Sequence, residues 1–216
     1  MDALLPTGVT LEFDGRWRAM LSHETKNYAL LGYGGELALR GAAFTSSRSE
    51  RYGRVFLEEA LKSLLGGEIT RIPPLYRATV ERLQAGGYTN AEVASRARVN
   101  KSQDEYLQSS KVRQEAVYEG LLRSGQLWKS GDRVLLYQRS GSGLSVLDDP
   151  EGCDYDAPFY AQQLLSGYAS RLKKGLSAAG YAQVFAQRQP GLFDRPLSEL
   201  RAVWDPVPPS KASVPR

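Results

Sequence analysis

Lys26, Tyr28 and Arg40 are the residues whose types and spacing first suggest chemistry. They flank a stretch that reads Lys26-Asn27-Tyr28-Ala29-Leu30-Leu31-Gly32-Tyr33, then Gly34-Gly35, then Glu36-Leu37-Ala38-Leu39-Arg40-Gly41. Two alternating runs around a Gly-Gly pair predict a β-hairpin, both glycines being free to take positive φ. A cation and an aromatic two apart on a strand share a face. Such a face suits a sugar-phosphate backbone: the ammonium or guanidinium neutralises a phosphate and the Tyr packs on the sugar or donates its hydroxyl. A solvated cross-strand pair is the ordinary alternative.

Other chemistries find little support. Cys153 is the single cysteine and His23 the single histidine. A disulfide within the chain, a cysteine-rich zinc site and a multi-histidine metal site are therefore excluded. Glu58-Glu59, Asp148-Asp149 and Asp154-x-Asp156 are acidic pairs that read as a helix face, a loop and an N-cap. Two-metal phosphoryl transfer needs carboxylates aimed at one point, which nothing here predicts. There is no Walker-A loop; Gly32-Tyr33-Gly34-Gly35 is a turn. The 216 residues carry a net charge of +4 and a pI near 9.1, which leans toward a polyanionic partner. No apolar run reaches the ~18 residues of a membrane span, and the N-terminal residues do not resemble a signal peptide. A reducing cytoplasm is the expected compartment.

The elements that must position these residues follow. Alternation over 9–13 and 16–21 predicts two further strands beside the hairpin. Ser47-Arg48-Ser49-Glu50 has the form of a capping box, followed by Val55, Phe56, Ala60, Leu61, Leu64 and Leu65 at helical spacing and a Gly66-Gly67 stop. Pro73-Pro74 opens a second helix that ends at Gly86-Gly87. Residues 89–101 stay open from local pattern: Thr89-Asn90-Ala91-Glu92 suits a helix start, and the alternation of Val93, Ser95, Ala97 and Val99 suits a strand. A helix is expected over 111–124, a strand over Arg133–Gln138, and a helix from Asp156 to about Ala179. Beyond Gln187 the prolines predict an extended tail. The fold class is α+β.

Together these segments resemble the C-terminal part of a family B DNA polymerase. The resemblance rests on Leu4 to Trp17, on Thr25-Lys26-Asn27-Tyr28-Ala29, on Leu39-Arg40-Gly41, on Lys101 to Tyr106, on Gly131 to Tyr137, and on Tyr155-Asp156-Ala157-Pro158-Phe159-Tyr160. It implies the end of the palm over 1–45, a mostly helical thumb with a short β element over 46–186, and a tail over 187–216. It reads 92–101 as strand. It implies a primer–template duplex as partner, gripped through Lys26, Tyr28, Arg40, Arg48, Lys101, Tyr106, Lys111 and Arg113. The family's catalytic aspartates are not matched, so the resemblance implies a chain that holds DNA without copying it. It implies no cofactor here, with magnesium serving only the intact polymerase. Thr25, Asn27 and Ser46-Ser47-Arg48 depart from the family's more basic motifs. Gln189-Pro190-Gly191-Leu192-Phe193 resembles the bacterial sliding-clamp pentapeptide, with Gln189, Leu192 and Phe193 as contacts. That motif favours the bacterial DNA polymerase II branch. A stand-alone adaptor between DNA and clamp, or one subunit of a split polymerase docking on a catalytic half, is the alternative.

Overall fold

A computed structural model describes residues 15–109, 115–186 and 196–204. Strands β1 (Ala19–Glu24), β2 (Asn27–Leu31) and β3 (Leu37–Arg40) form an antiparallel sheet in that order. The register sets Leu21 against Ala29 and Ala29 against Leu39, so small and branched apolar residues line one face. The expected strand over 9–13 lies outside the described residues.

Two turn expectations change. Of the two turn glycines only Gly35 takes positive φ, at 85°. Gly32 accepts from the Gly35 N–H at 3.2 Å and donates to the Glu36 carbonyl at 2.8 Å. The loop is thus Tyr33-Gly34-Gly35, a tight turn with one left-handed residue rather than a primed two-residue turn. Lys26 is not on the strand with Tyr28. It occupies the β1–β2 turn at φ 65°, because a two-residue connection between Glu24 and Asn27 needs a left-handed residue and no glycine is present.

A short helical turn, α1 (Ala42–Thr45), leads to α2 (Arg51–Gly66). The capping box predicted at Ser47–Glu50 does not form: Glu50 is the N-cap residue and makes no side-chain cap. Its carboxylate instead accepts from the Tyr168 hydroxyl, and its N–H donates to that oxygen at 3.0 Å. The glycine stop does form. Gly67 is left-handed, its N–H reaches Leu64 and that of Glu68 reaches Ser63. Helix α3 (Ile72–Gln84) opens on its two prolines and buries Tyr76, Val80 and Leu83 as expected.

Residues 89–101 satisfy both local patterns in succession. Thr89 and Glu92 close a complete capping box on α4 (Asn90–Val93), and β4 (Ser95–Arg98) follows directly. The strand-only reading is corrected: a single capped turn costs the chain just four residues before it extends. Helices α5 (Gln103–Ser109) and α6 (Ala116–Ser124) come next, then β5 (Arg133–Arg139) and β6 (Gly143–Val146). The second sheet runs β4-β5-β6, all antiparallel.

The helix expected from Asp156 to Ala179 is broken. Asp156 caps α7 (Ala157–Gln163) by accepting from the Phe159 N–H at 3.0 Å. A π turn over Leu164–Tyr168 and a 3-10 run over Ala169–Gly175 follow. Leu176 is extended, and Ser177 caps a new helix, α8 (Ala178–Val184). Within the proline-rich end, a 3-10 turn at Leu197–Glu199 precedes Leu200 and Ala202, which pack on the core, and the Val203 N–H donates to Gly175 at 2.9 Å.

Two hydrophobic clusters result. The larger joins Leu21, Ala29, Leu31 and Phe44 to Phe56, Leu61, Tyr76, Leu83, Tyr160, Leu164 and Leu172. The smaller holds Val99, Tyr106, Tyr118, Leu121, Trp128, Leu136 and Val146. Neighbours on β5 serve both: Leu136 faces the small cluster and Tyr137 the large one.

A polar knot joins the second sheet to the 148–156 loop. Asp154 Oδ1 accepts from Asn90 Nδ2 and the Tyr137 hydroxyl, each at 2.9 Å. Its Oδ2 lies 2.8 Å from Arg139 Nε. Burial pushes the Asp154 carboxyl up, but the bonds from Tyr137 and Asn90 and the Arg139 charge outweigh it and hold it below the usual aspartate range. A depressed folded-state pKa gives stability that is present above the unfolded value, ~4, and is lost as pH falls through the folded one. Below about pH 4 the native chain is therefore expected to lose more melting temperature per pH unit than Asp154→Asn. Equal slopes in a pH series of thermal melts would contradict this.

Candidate nucleic-acid interface

The β4–β5 register sets Arg98 against Arg133 and Arg96 against Leu135. These four side chains share one face, while Ala97 and Val134 pack against the small cluster on the other. Arg96, Arg98 and Arg133 are exposed. Like charges placed directly across a ladder repel, and nothing in the sheet requires them there.

The segment before α2 meets this face. Ser46 Oγ accepts the Arg48 N–H at 3.2 Å, and the Ser49 N–H donates to the Ser46 carbonyl at 3.1 Å. That turn presents Ser47 and Arg48. One turn further, Arg51 and Arg54 project from the start of α2, three apart and so on one side.

Two adjoining clefts lie between these elements. One, of about 210 Å³, is lined by Ser47, Arg48, Arg96, Ala97, Arg98 and Arg133. The other, of about 260 Å³, is lined by Ser47, Ser49, Arg51, Arg54, Ala91, Ala94, Arg96 and Leu135. Each is below the ~300 Å³ of a typical small-molecule pocket and fits an anion the size of phosphate. Among the described residues no carboxylate and no aromatic ring lines either. Among the described residues none of these arginines forms an ion pair.

Two acids adjoin these arginines in sequence, Asp132 beside Arg133 and Glu50 beside Arg51, and both are engaged: Asp132 Oδ2 accepts the Lys129 N–H at 2.8 Å, and Glu50 accepts from Tyr168. Burial and the charge of Glu50 push the Tyr168 phenol above its ordinary value, so it stays protonated and donates to that carboxylate. The start of α2 adds the positive end of a 16-residue helix. The arrangement can hold phosphate oxygens through guanidinium forks and serine hydroxyls, and it carries no sign of base recognition.

The predicted contact residues scatter. Arg48 lies in the first cleft. Tyr28 and Arg40 face each other across β2 and β3, Arg40 exposed and Tyr28 half-buried, with Lys26 exposed in the turn. Lys101 pairs with Glu115 at 2.7 Å. Tyr106 is a correction: it is fully buried, stacked on Tyr118 with ring centroids 4.6 Å apart, its hydroxyl 2.5 Å from Glu119. It has no surface to offer a duplex. Tyr106→Phe is expected to cost about 1–2 kcal/mol of stability while leaving duplex binding unchanged, read by melts and anisotropy on the same protein. Lys111, Arg113, Gln189, Leu192 and Phe193 lie outside the described residues.

Sequence reading passed over Arg51, Arg54, Arg96, Arg98 and Arg133. The signals were Arg96-x-Arg98 on a strand and Arg51-x-x-Arg54 at a helix start.

The acidic pairs have structural duties. Glu59 pairs with Lys62, Asp148 with Arg139, and Asp156 caps α7. Among the described residues no three His, Cys, Asp or Glu come together in a group that could hold a metal ion. No helix among them is long and apolar enough to cross a membrane.

In fold the chain is similar to part of the family B DNA polymerase from the hyperthermophilic archaeon Pyrobaculum calidifontis. The TM-score is 0.53 at 18% sequence identity, over 77% of this chain and 23% of that one. The chain thus spans about a quarter of that protein's length. No protein-family model matches it. No curated protein matches it in sequence.

Proposed function

We propose that this chain is the duplex-holding portion of a family B DNA polymerase: the end of the palm with the thumb, gripping primer–template DNA through its backbone. The observation that carries the reading is the arginine-lined pair of clefts, where Arg48, Arg51, Arg54, Arg96, Arg98 and Arg133 form no ion pair among the described residues. A surface that keeps like charges close, with no acid between them, is suited to an anion supplied from outside. The fold similarity and the segments from Lys26 to Gly41 and Tyr155 to Tyr160 support the polymerase assignment. Tyr28 and Arg40 extend the grip along the first sheet. The bacterial polymerase II branch and a sliding-clamp partner rest on Gln189, Leu192 and Phe193 alone.

Backbone contacts release counterions, so affinity should fall steeply with salt. A fluorescence anisotropy titration with a primer–template duplex at low and high salt tests the reading. Tight binding at low salt that weakens by orders of magnitude at high salt is expected. Binding that is absent at low salt, or indifferent to salt, would overturn it.

A further inference from the structure

The two clefts share two residues, Ser47 and Arg96, and otherwise have separate walls. Arg48, Arg98 and Arg133 belong to the first alone. Arg51 and Arg54 belong to the second alone. We propose that the clefts form a paired subsite for two successive phosphates of one nucleic-acid strand, with Ser47 and Arg96 standing between them and the intervening sugar lying across that ridge. This deepens the DNA-holding reading and rests on it.

Three features favour this ligand. Each cleft has its own guanidinium groups, so each can neutralise one phosphate without drawing on the other. The shared wall is one arginine and one hydroxyl. Arginine has five N–H donors in a planar fork, enough to reach an oxygen on either side. Two anions in clefts that share a wall, yet separately housed, match phosphates joined through a sugar. Pyrophosphate, whose phosphorus atoms share one oxygen, would crowd into a single cleft. Among the described residues the linings are Ser, Arg, Ala and a single Leu, with no ring for a base to stack on. The subsite therefore takes the backbone and ignores the base.

Small probes test this apart from duplex binding. The full chain is titrated with thymidine 5′-monophosphate, thymidine 3′,5′-bisphosphate and pyrophosphate, following arginine side-chain Nε–H signals by NMR. The bisphosphate is expected to bind about tenfold or more tighter than the monophosphate, since its second phosphate is tethered beside an empty cleft. It should shift the signals of Arg98 or Arg133 together with those of Arg51 or Arg54. Arg96→Gln should reduce the bisphosphate to the level of the monophosphate, with an unchanged circular dichroism spectrum because Arg96 is exposed.

The proposal is overturned if the bisphosphate binds no better than the monophosphate, if pyrophosphate matches it, or if the shifts stay in one cleft. Duplex binding without a bisphosphate advantage would sink the paired subsite and leave the DNA-holding reading standing. A bisphosphate advantage without duplex binding would do the reverse.

Discussion

Replacing Arg96, Arg98 and Arg133 together by glutamine is expected to weaken duplex binding about a thousandfold or more at low salt, each lost charged contact being worth ~1.5–3 kcal/mol. The same variant should be as stable as the parent, or slightly more so. Arg98 and Arg133 face each other directly in the ladder, and a like-charged pair there costs about 0.2–1 kcal/mol. None of the three guanidiniums makes an ion pair among the described residues, so their removal leaves no buried partner behind. The salt dependence should fall too, by roughly 0.9 in log–log slope for each phosphate contact removed. Opposite signs on binding and stability separate a ligand site from a structural cluster. Anisotropy titrations across salt and urea denaturation of the same protein give both quantities. Unchanged binding with a loss of stability would show that the arginines serve the fold.

Gly41→Ala is expected to cost the fold heavily. Gly41 sits at φ 85° and ψ 158°, a region open essentially to glycine alone, where an L side chain is strained by ~1–3 kcal/mol. A Cβ there would stand 2.2 Å from the Lys26 carbonyl oxygen and 2.4 Å from Asn27 Oδ1. Neither obstacle can swing away cheaply. The first is backbone, and Asn27 Oδ1 is accepting the Ala43 N–H at 2.8 Å as α1 begins. Relief requires moving the β1–β2 turn off the β3–α1 junction. A loss of about 3 kcal/mol or more is expected by urea denaturation. Gly35→Ala is the internal control: it has the same φ of 85° with nothing within 4 Å of the added methyl. Its cost should stay near 1 kcal/mol. Equal losses at the two sites would mean that backbone conformation alone decides, and that the Asn27 junction is soft.

What could be read beforehand was mostly local. The apolar face of the first hairpin, the glycine stop after Leu65 and the Asp156 cap each depend on a few neighbours in sequence, and each formed. The misreadings came from partners far away. Ser47 to Glu50 has the same capping-box grammar as Thr89 to Glu92, yet only the second closes. The difference is Tyr168, 118 residues on, whose buried hydroxyl claims Glu50. Lys26 fell in the turn because β1 reaches as far as Glu24, a matter of register that alternation alone leaves open. Tyr106 is polar-tipped and lies five residues after Lys101, which says nothing of the ring of Tyr118 waiting to stack on it. The cleft itself was the least legible feature. Arg96 and Arg98 declare a charged strand face, but only the fold brings Arg133 beside Arg98, Arg48 into the same cleft, and the start of α2 beside Arg96.

Arginine-selective labelling with a dicarbonyl reagent, read by peptide mass spectrometry with and without a primer–template duplex, tests the central claim most directly. The clefts predict protection by DNA at Arg48, Arg51, Arg54, Arg96, Arg98 and Arg133, and unchanged labelling at Arg71 and Arg201, which line neither cleft. Cleft arginines that label equally with and without bound duplex, while others become protected, would contradict the account.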